Sequence, residues 1–265
     1  MKEILLTNDD GYESAGLYAL IEALSPLGHV TVVAPTIEKS ASGHSLTLTR
    51  PLRFIEVDDD FFKLDDGTPT DCVFLALNKL YHPGRLPDIV ISGINKGANM
   101  GEDITYSGTA AAAMEATLQG IPAIAISQVC EGNCQDVDRL GYELAKESIR
   151  ALVKKIFDGS FPLPDREFLN INIPPIKPEQ SKGFAATRAG KRAYGNDAKV
   201  HHNPRGLEYH WIGLPRLDWL ESDGGLTDFE AVSQYHTSIT PIQLDMTAHK
   251  MIDSLQSWID DANKQ

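Results

Sequence analysis

Asn8, Asp9, Asp10 and Gly11 follow the apolar run Ile4-Leu5-Leu6-Thr7. Two neighbouring carboxylates stay ionised at low cost only if a cation or strong donors offset their repulsion. A divalent metal with oxygen ligands is the simplest offset. The same four residues also make an ordinary turn, because Asn and Asp side chains bond their own backbone and Gly supplies positive φ. The stretch by itself supports both readings.

Two further stretches carry chemical residue types. Glu38-Lys39-Ser40-Ala41-Ser42-Gly43-His44-Ser45 is small and polar. Ser40, Ser42, His44 and Ser45 could reach a ligand held by the aspartates, although the composition equally suits a surface loop. Ser92-Gly93-Ile94-Asn95-Lys96-Gly97-Ala98-Asn99-Met100-Gly101, continuing to Tyr106-Ser107-Gly108-Thr109, is the denser one. Its glycines let the backbone approach a ligand closely, and Asn95 and Asn99 offer amide groups. Ser107, Gly108 and Thr109 open a helix, where free N–H groups and the dipole favour an anion. The spacing matches neither the P-loop nor the dinucleotide fingerprint. Long loops without secondary structure are usually functional, so the loop reads as a phosphate cradle.

The elements that must position these groups alternate strand and helix. Ile4–Leu6 is a buried strand, and Leu17 to Leu27 is an apolar-faced helix. His29–Ala34 is a second, parallel strand, since the helix provides the crossover. Arg53–Val57 and Phe61–Leu64 form a hairpin with the acidic run Asp58-Asp59-Asp60 at its tip. A helix follows from Cys72 to Tyr81, capped by Thr70 or Asp71. Asp88–Ser92 is a central strand, a helix starts near Thr109, and Ile121–Ser127 is another strand. Leu140 to Phe157 is amphipathic. Phe168–Ile173, with Asn170 and Asn172 alternating, suggests a strand near an end of the sheet or in an extension. Beyond Pro174 the alternation weakens. His201, His202 and His210 read as part of an interaction hairpin rather than a zinc cluster, because adjacent strand residues face opposite ways. Asp228–Tyr235 is a short helix, Ser238–Pro241 a short strand, and Thr247 to Ala262 a last amphipathic helix of the kind that docks on a neighbouring subunit or back on the main domain. The fold expected is α/β, a Rossmann-like, mostly parallel sheet with flanking helices. Residues 1–180 form the α/β core, and 181–265 form a C-terminal extension with a hairpin and a terminal helix. In such sheets ligands sit at the carboxyl ends of the strands, beside a switch point, where all three polar stretches fall.

The chain has 265 residues and a formal net charge of −13. The charge argues against general affinity for nucleic-acid duplexes or anionic membranes. No run spans a bilayer, and no signal peptide is expected at the N-terminus. Cys72, Cys130 and Cys134 read as free thiols in a reducing compartment; the Cys130/Cys134 spacing is not that of a zinc or redox pair.

Asp9, Asp10, Ser40 and Asn95 offer only oxygen and amide donors, which suits Mg²⁺, Mn²⁺ or Ca²⁺ better than zinc. A metal beside a phosphate cradle fits phosphomonoester hydrolysis. Asp9 or Asp10, whichever is left partly free of the metal, would orient or deprotonate water, with His44 a candidate to protonate the leaving alkoxide.

Four stretches in order, Thr7-Asn8-Asp9-Asp10-Gly11, Ser40 to Ser45, Ser92 to Gly101 and Ser107-Gly108-Thr109, resemble the survival protein E (SurE) family of nucleotidases. Gly67-Thr68-Pro69-Thr70-Asp71-Cys72 and Ser238-Ile239-Thr240-Pro241 are similar to its pattern too, so the likeness runs from Met1 to about His249. The resemblance implies a metal-dependent 5′/3′-nucleotidase of the cytoplasm, a phosphoric monoester hydrolase acting on nucleoside monophosphates and, in some members, on short polyphosphate. It implies Mg²⁺ or Mn²⁺ held by Asp9, Asp10, Ser40 and Asn95, with phosphate contacts around Asn99 and Ser107-Gly108-Thr109. It implies a homodimer or homotetramer built through the C-terminal extension. A phosphatase with a covalent aspartyl-phosphate is disfavoured, since its two aspartates stand one residue apart and here they are adjacent. A non-catalytic nucleotide-binding module stays open.

Overall fold

The computed structural model describes residues 1–262 apart from 83, 131–133, 135–136, 138–139, 195–197, 213–217 and 222. Strand β1 (Glu3–Thr7) is the hub. It pairs in parallel with β2 (His29–Pro35) on one side and with β5 (Ile89–Lys96) on the other. Outside β2 lie β4 (Phe61–Asp65) and the antiparallel edge strand β3 (Arg53–Asp58). Outside β5 come β6 (Ala123–Gln128) and β7 (Glu167–Ile173), both parallel. Then β13 (Thr237–Gln243) joins β7 antiparallel, and β8 (Phe184–Ala186) forms the other edge. The order β3-β4-β2-β1-β5-β6-β7-β13-β8 makes β1/β5 the place where chain progression reverses, so the loops leaving these two strands diverge and open a crevice.

The two sheet faces follow from alternation along buried strands. Ile4, Leu6, Val32, Ile89, Ile91 and Ile124 point to one side, where they pack on Leu17, Leu20 and Leu24 of α1 (Ala15–Leu24) and on Leu144, Ile149 and Val153 of α4 (Glu143–Asp158). Leu5, Val33, Val90, Ala123 and Phe168 point to the other, against Cys72, Val73 and Ala76 of α2 (Pro69–Lys79) and the alanines of α3 (Gly108–Leu118). Ala110 to Ala113 let α3 lie close on the sheet, which brings its first turn beside the end of β1.

Four expectations need correction. Helix α2 is capped by Thr68, not by Thr70 or Asp71; Asp71 sits at the third helical position and accepts the Thr68 N–H in a reciprocal capping box. The glycine loop begins later than its composition suggests, because β5 runs on to Lys96 with a register break between Ser92 and Asn95. Strand β7 lies inside the sheet between β6 and β13, not at an end, and its asparagines are fully buried. Cys130 and Cys134 are joined as a disulfide, since the chain brings their Cα atoms within 4.9 Å; only Cys72 is a free, buried thiol.

After β7 the chain forms β9 (Lys191–Arg192), the hairpin β10 (Ala198–His202) and β11 (Glu208–Ile212), β12 (Trp219–Leu220) and the short helix α5 (Asp228–Ser233). Every hairpin strand residue is exposed. His202 and His210 pair with Glu208, and among the described residues no three His, Cys, Asp or Glu side chains gather to hold a metal. The last helix, α6 (Ile252–Ala262), leaves Leu255 and Trp258 exposed. Among the described residues no helix is long and apolar enough to cross a membrane.

Candidate active site at the switch point

Asp9 and Asp10 leave β1 at its carboxyl end and are held in different ways. Asp9 is buried, and both its oxygens are engaged by one residue of α3: Oδ2 accepts the Thr109 N–H at 3.1 Å and Oδ1 the Thr109 hydroxyl at 2.5 Å. Burial pushes its carboxyl up to about 6; the Thr109 hydroxyl opposes this, and the Asp10 charge adds to it. Asp10 is half-buried, and its Oδ2 accepts the Lys96 N–H at 3.0 Å. Burial raises this carboxyl too, opposed by the Lys96 N–H and reinforced by the nearby Glu38. The turn reading of this stretch is also realised, with Asn8 Nδ2 donating to Gly11 O and Ser14 Oγ.

The helix start expected to hold an anion already holds one, the Asp9 carboxylate. Ser107 is the N-cap, its Oγ accepting from the Ala110 N–H at 2.9 Å. With Thr109 engaged, the Gly108 N–H remains without a partner among the described residues. Gly108 has to be glycine: a Cβ there would lie 2.8 Å from Asp9 Cβ and 2.9 Å from Ser42 Oγ. Ser42 Oγ is buried without a hydrogen-bond partner, so a polar atom at this point awaits a ligand.

The second polar stretch is docked on the first. Lys39 N–H donates to Asp9 O at 2.7 Å and Gly43 N–H to Tyr106 O at 3.0 Å. Ser40 is exposed and donates its hydroxyl to Glu38 Oε1 at 2.7 Å, which brings in a third carboxylate that the sequence reading passed over. His44 pairs through Nε2 with Glu115 Oε2 at 3.0 Å. Glu115 stands seven residues beyond Gly108, about 10 Å along α3, so the ring is drawn away from the helix start.

Asn95 is placed by the break in β5. Gly93 has φ +140°, and a Cβ there would meet Ile126 O at 2.3 Å, so only glycine lets β5 turn here against β6. Asn95 Nδ2 then donates to Gly97 O at 3.0 Å, which turns its carbonyl oxygen into the atom that could meet a ligand. Asn99 lies behind, tied into the sheet. Its N–H donates to Asn172 Oδ1 and its Nδ2 to Ser127 Oγ, both at 2.9 Å, while its carbonyl accepts from Asn170 and Asn172. Asn170, Asn172 and Ser127 therefore position the loop. Two asparagines on one face of an apolar strand were the available signal.

A divalent cation fits these residues. The donors of Asp9, Asp10, Ser40 and Asn95 are all oxygen, both carboxylates are pushed toward their neutral form by burial, and positive charge would reverse that.

A doubly wound sheet with an oxygen-rich crevice at its switch point defines the class: an α/β protein of the Rossmann-like kind with its candidate ligand site at the β1/β5 edge. Comparison with known proteins narrows it. Residues 4–196 match the family model described as Survival protein SurE, and the chain belongs to that family. It is 67% identical to a protein of Sulfurovum sp. (strain NBC37-1) named 5′-nucleotidase SurE, over 97% of this chain and 98% of the relative. It is 56% identical to one of the same name from Helicobacter hepaticus, over 98% and 99%. The crystal structure of Sure protein from Aquifex aeolicus aligns with a TM-score of 0.82 at 42% identity, covering 97% of this chain and 99% of that one.

Proposed function

We propose that this protein is a nucleotidase, a phosphomonoesterase that releases phosphate from nucleoside 5′- and 3′-monophosphates with Mg²⁺ or Mn²⁺ bound, and that short polyphosphate is a further substrate. The observation that carries the reading is the buried Asp9 and half-buried Asp10 set against the first turn of α3, where the Gly108 N–H and the Ser42 hydroxyl are left to meet an anion beside them. The relatives' name, 5′-nucleotidase SurE, suggests the substrate class.

In this reading Asp9, Asp10, Ser40 and Asn95 hold the metal. When bound, it polarises a phosphoryl oxygen and lowers the pKa of water. The chain's own residues do the rest. Thr109 fixes Asp9 through both oxygens, so Asp9 serves as a rigid ligand rather than a base. Asp10 has Oδ2 on Lys96 N–H and Oδ1 left over, and that atom orients the attacking water and takes its proton. The Gly108 N–H and the Ser42 hydroxyl meet the phosphate at the helix start. Asn99 holds the far side of the loop. His44, paired with Glu115, shapes the Ser40–Ser45 loop, and the proton that Asp10 takes from water passes to the leaving alkoxide to give the nucleoside hydroxyl.

The test is phosphate release from a panel of 5′- and 3′-monophosphates, with chelator and with Mn²⁺ or Mg²⁺ restored. Release that vanishes with chelator and returns with metal is expected. Nucleotide that binds but is never cleaved under any metal would leave a binding module instead.

A further inference from the structure

We propose that Tyr106, braced by Tyr194, is the platform on which the nucleobase of the substrate stacks; this rests on the nucleotidase reading. Tyr106 immediately precedes Ser107, the N-cap of the anion-accepting helix, at one peptide's distance of about 3.8 Å between Cα atoms. Ser107, Gly108 and Thr109 are all buried, yet the Tyr106 side chain is left 59% exposed at the rim. A large aromatic kept open beside a cradle of small buried residues is not there for the core.

Its surroundings fix it. The Tyr106 carbonyl accepts the Gly43 N–H at 3.0 Å, and its own N–H donates to Asp103 O, so the backbone is held between the Ser40–Ser45 loop and the turn at residues 101–105. The ring stands edge-on to Tyr194, with centroids 6.4 Å apart at 76°. Tyr194 is half exposed, and its hydroxyl donates to Asp103 Oδ1 at 3.0 Å. The Arg192 guanidinium lies 6.0 Å from the Tyr194 ring and pairs with Asp103. An edge-on pair supports one ring with the other while leaving a π-face open.

The chemistry of the ligand matches this placement. A nucleoside monophosphate anchored by its phosphate at Gly108 carries a flat aromatic group a sugar's length away. Stacking on an aromatic face is available to every base. The platform therefore separates nucleotides from base-free sugar phosphates, while discriminating little among bases.

The experiment measures binding by calorimetry of adenosine 5′-monophosphate and ribose 5-phosphate to the wild-type protein, Tyr106→Ala and Tyr106→Phe, with chelator present so that turnover does not consume the ligand, and Mn²⁺ is restored for the turnover assay. Phosphate release from both compounds is followed in parallel. Stacking of roughly 1–3 kcal/mol per base predicts that Tyr106→Ala weakens nucleotide binding about tenfold, leaves ribose 5-phosphate within twofold, and is rescued by Tyr106→Phe. Equal weakening of both ligands would show a structural role and overturn the platform, as would no change in either. Wild-type protein that binds nucleotide in a Tyr106-dependent way without releasing phosphate would sink the nucleotidase reading and keep the platform. Wild-type protein that binds no nucleotide would overturn both.

Discussion

Asp9 and Asp10 are adjacent in sequence and unlike in situation. Asp9 is held fixed because Thr109 gives it two hydrogen bonds from a helix start. Asp10 has one bond, to Lys96 N–H, and more solvent. If both hold a metal, binding to the native state alone stabilises the fold, by about 2.7 kcal/mol at one hundred times the dissociation constant. The melting temperature of the wild-type protein should rise on replacing chelator with Mn²⁺, by several degrees at saturating metal. Asp10→Asn should abolish phosphate release and lose most of that increment while folding normally. An Asp10→Asn protein with the full metal-dependent shift and normal turnover would remove this residue from the site.

At the scale of the element, β1 is polar at both ends for different reasons. Its carboxyl end feeds the site. At its amino end Glu3 meets His29, the first residue of β2, at 2.8 Å, and His29 also meets Asp60 in the β3–β4 turn at 2.9 Å. Arg85 reaches Glu3 from the far side, and the group lines a cavity of about 270 Å³ remote from the aspartates. The two carboxylates hold the imidazole above its ordinary value, and Glu3 is in turn held below its own, chiefly by the His29 hydrogen bond. A histidine whose folded pKa is raised contributes stability that is complete below its unfolded value, near 6.5, and is lost as pH rises through the folded value. The side chain is 36% exposed, so solvent screening keeps the contribution below about 1 kcal/mol. Melting curves should therefore show the wild-type protein losing about 2 °C more than His29→Gln between pH 6 and pH 9. Parallel pH dependence in the two proteins would show that the clamp is electrostatically idle.

For the whole molecule, the chain after β7 does two things. Strands β8 and β13 complete the central sheet, while the β10–β11 hairpin and α6 carry exposed apolar residues, among them Trp211, Ile212, Leu255 and Trp258. A projecting hairpin with tryptophan and isoleucine on its surface is a liability for a lone monomer, and we propose that a second copy of the chain covers it and α6. Light scattering should report a dimer or a larger even-numbered assembly. Trp258→Asp should shift it toward monomer. A wild-type protein that stays monomeric at micromolar concentration would refute the assignment.

Periodicity and apolar runs were enough to place β1, β2, β5 and α4 within a few residues, because buried parallel strands and amphipathic helices leave apolar marks. The order of polar stretches placed Asp9, Asp10, the Ser40 loop, Asn95 and the Ser107 helix start on one edge, since that edge follows from strand direction alone. What the sequence could not show depends on distant partners. That Thr109 would take the Asp9 carboxylate, one hundred residues away, follows from how closely the alanines of α3 let it approach the sheet. Asn170 and Asn172 looked like marks of a position near a sheet end and are fully buried, where both side-chain amides donate to the Asn99 carbonyl. The pairing of Cys130 with Cys134, the recruitment of Glu38 by Ser40 and the turning of His44 toward Glu115 have the same origin. Local pattern determines which face a residue presents, but which atoms meet it is decided only when the layers pack.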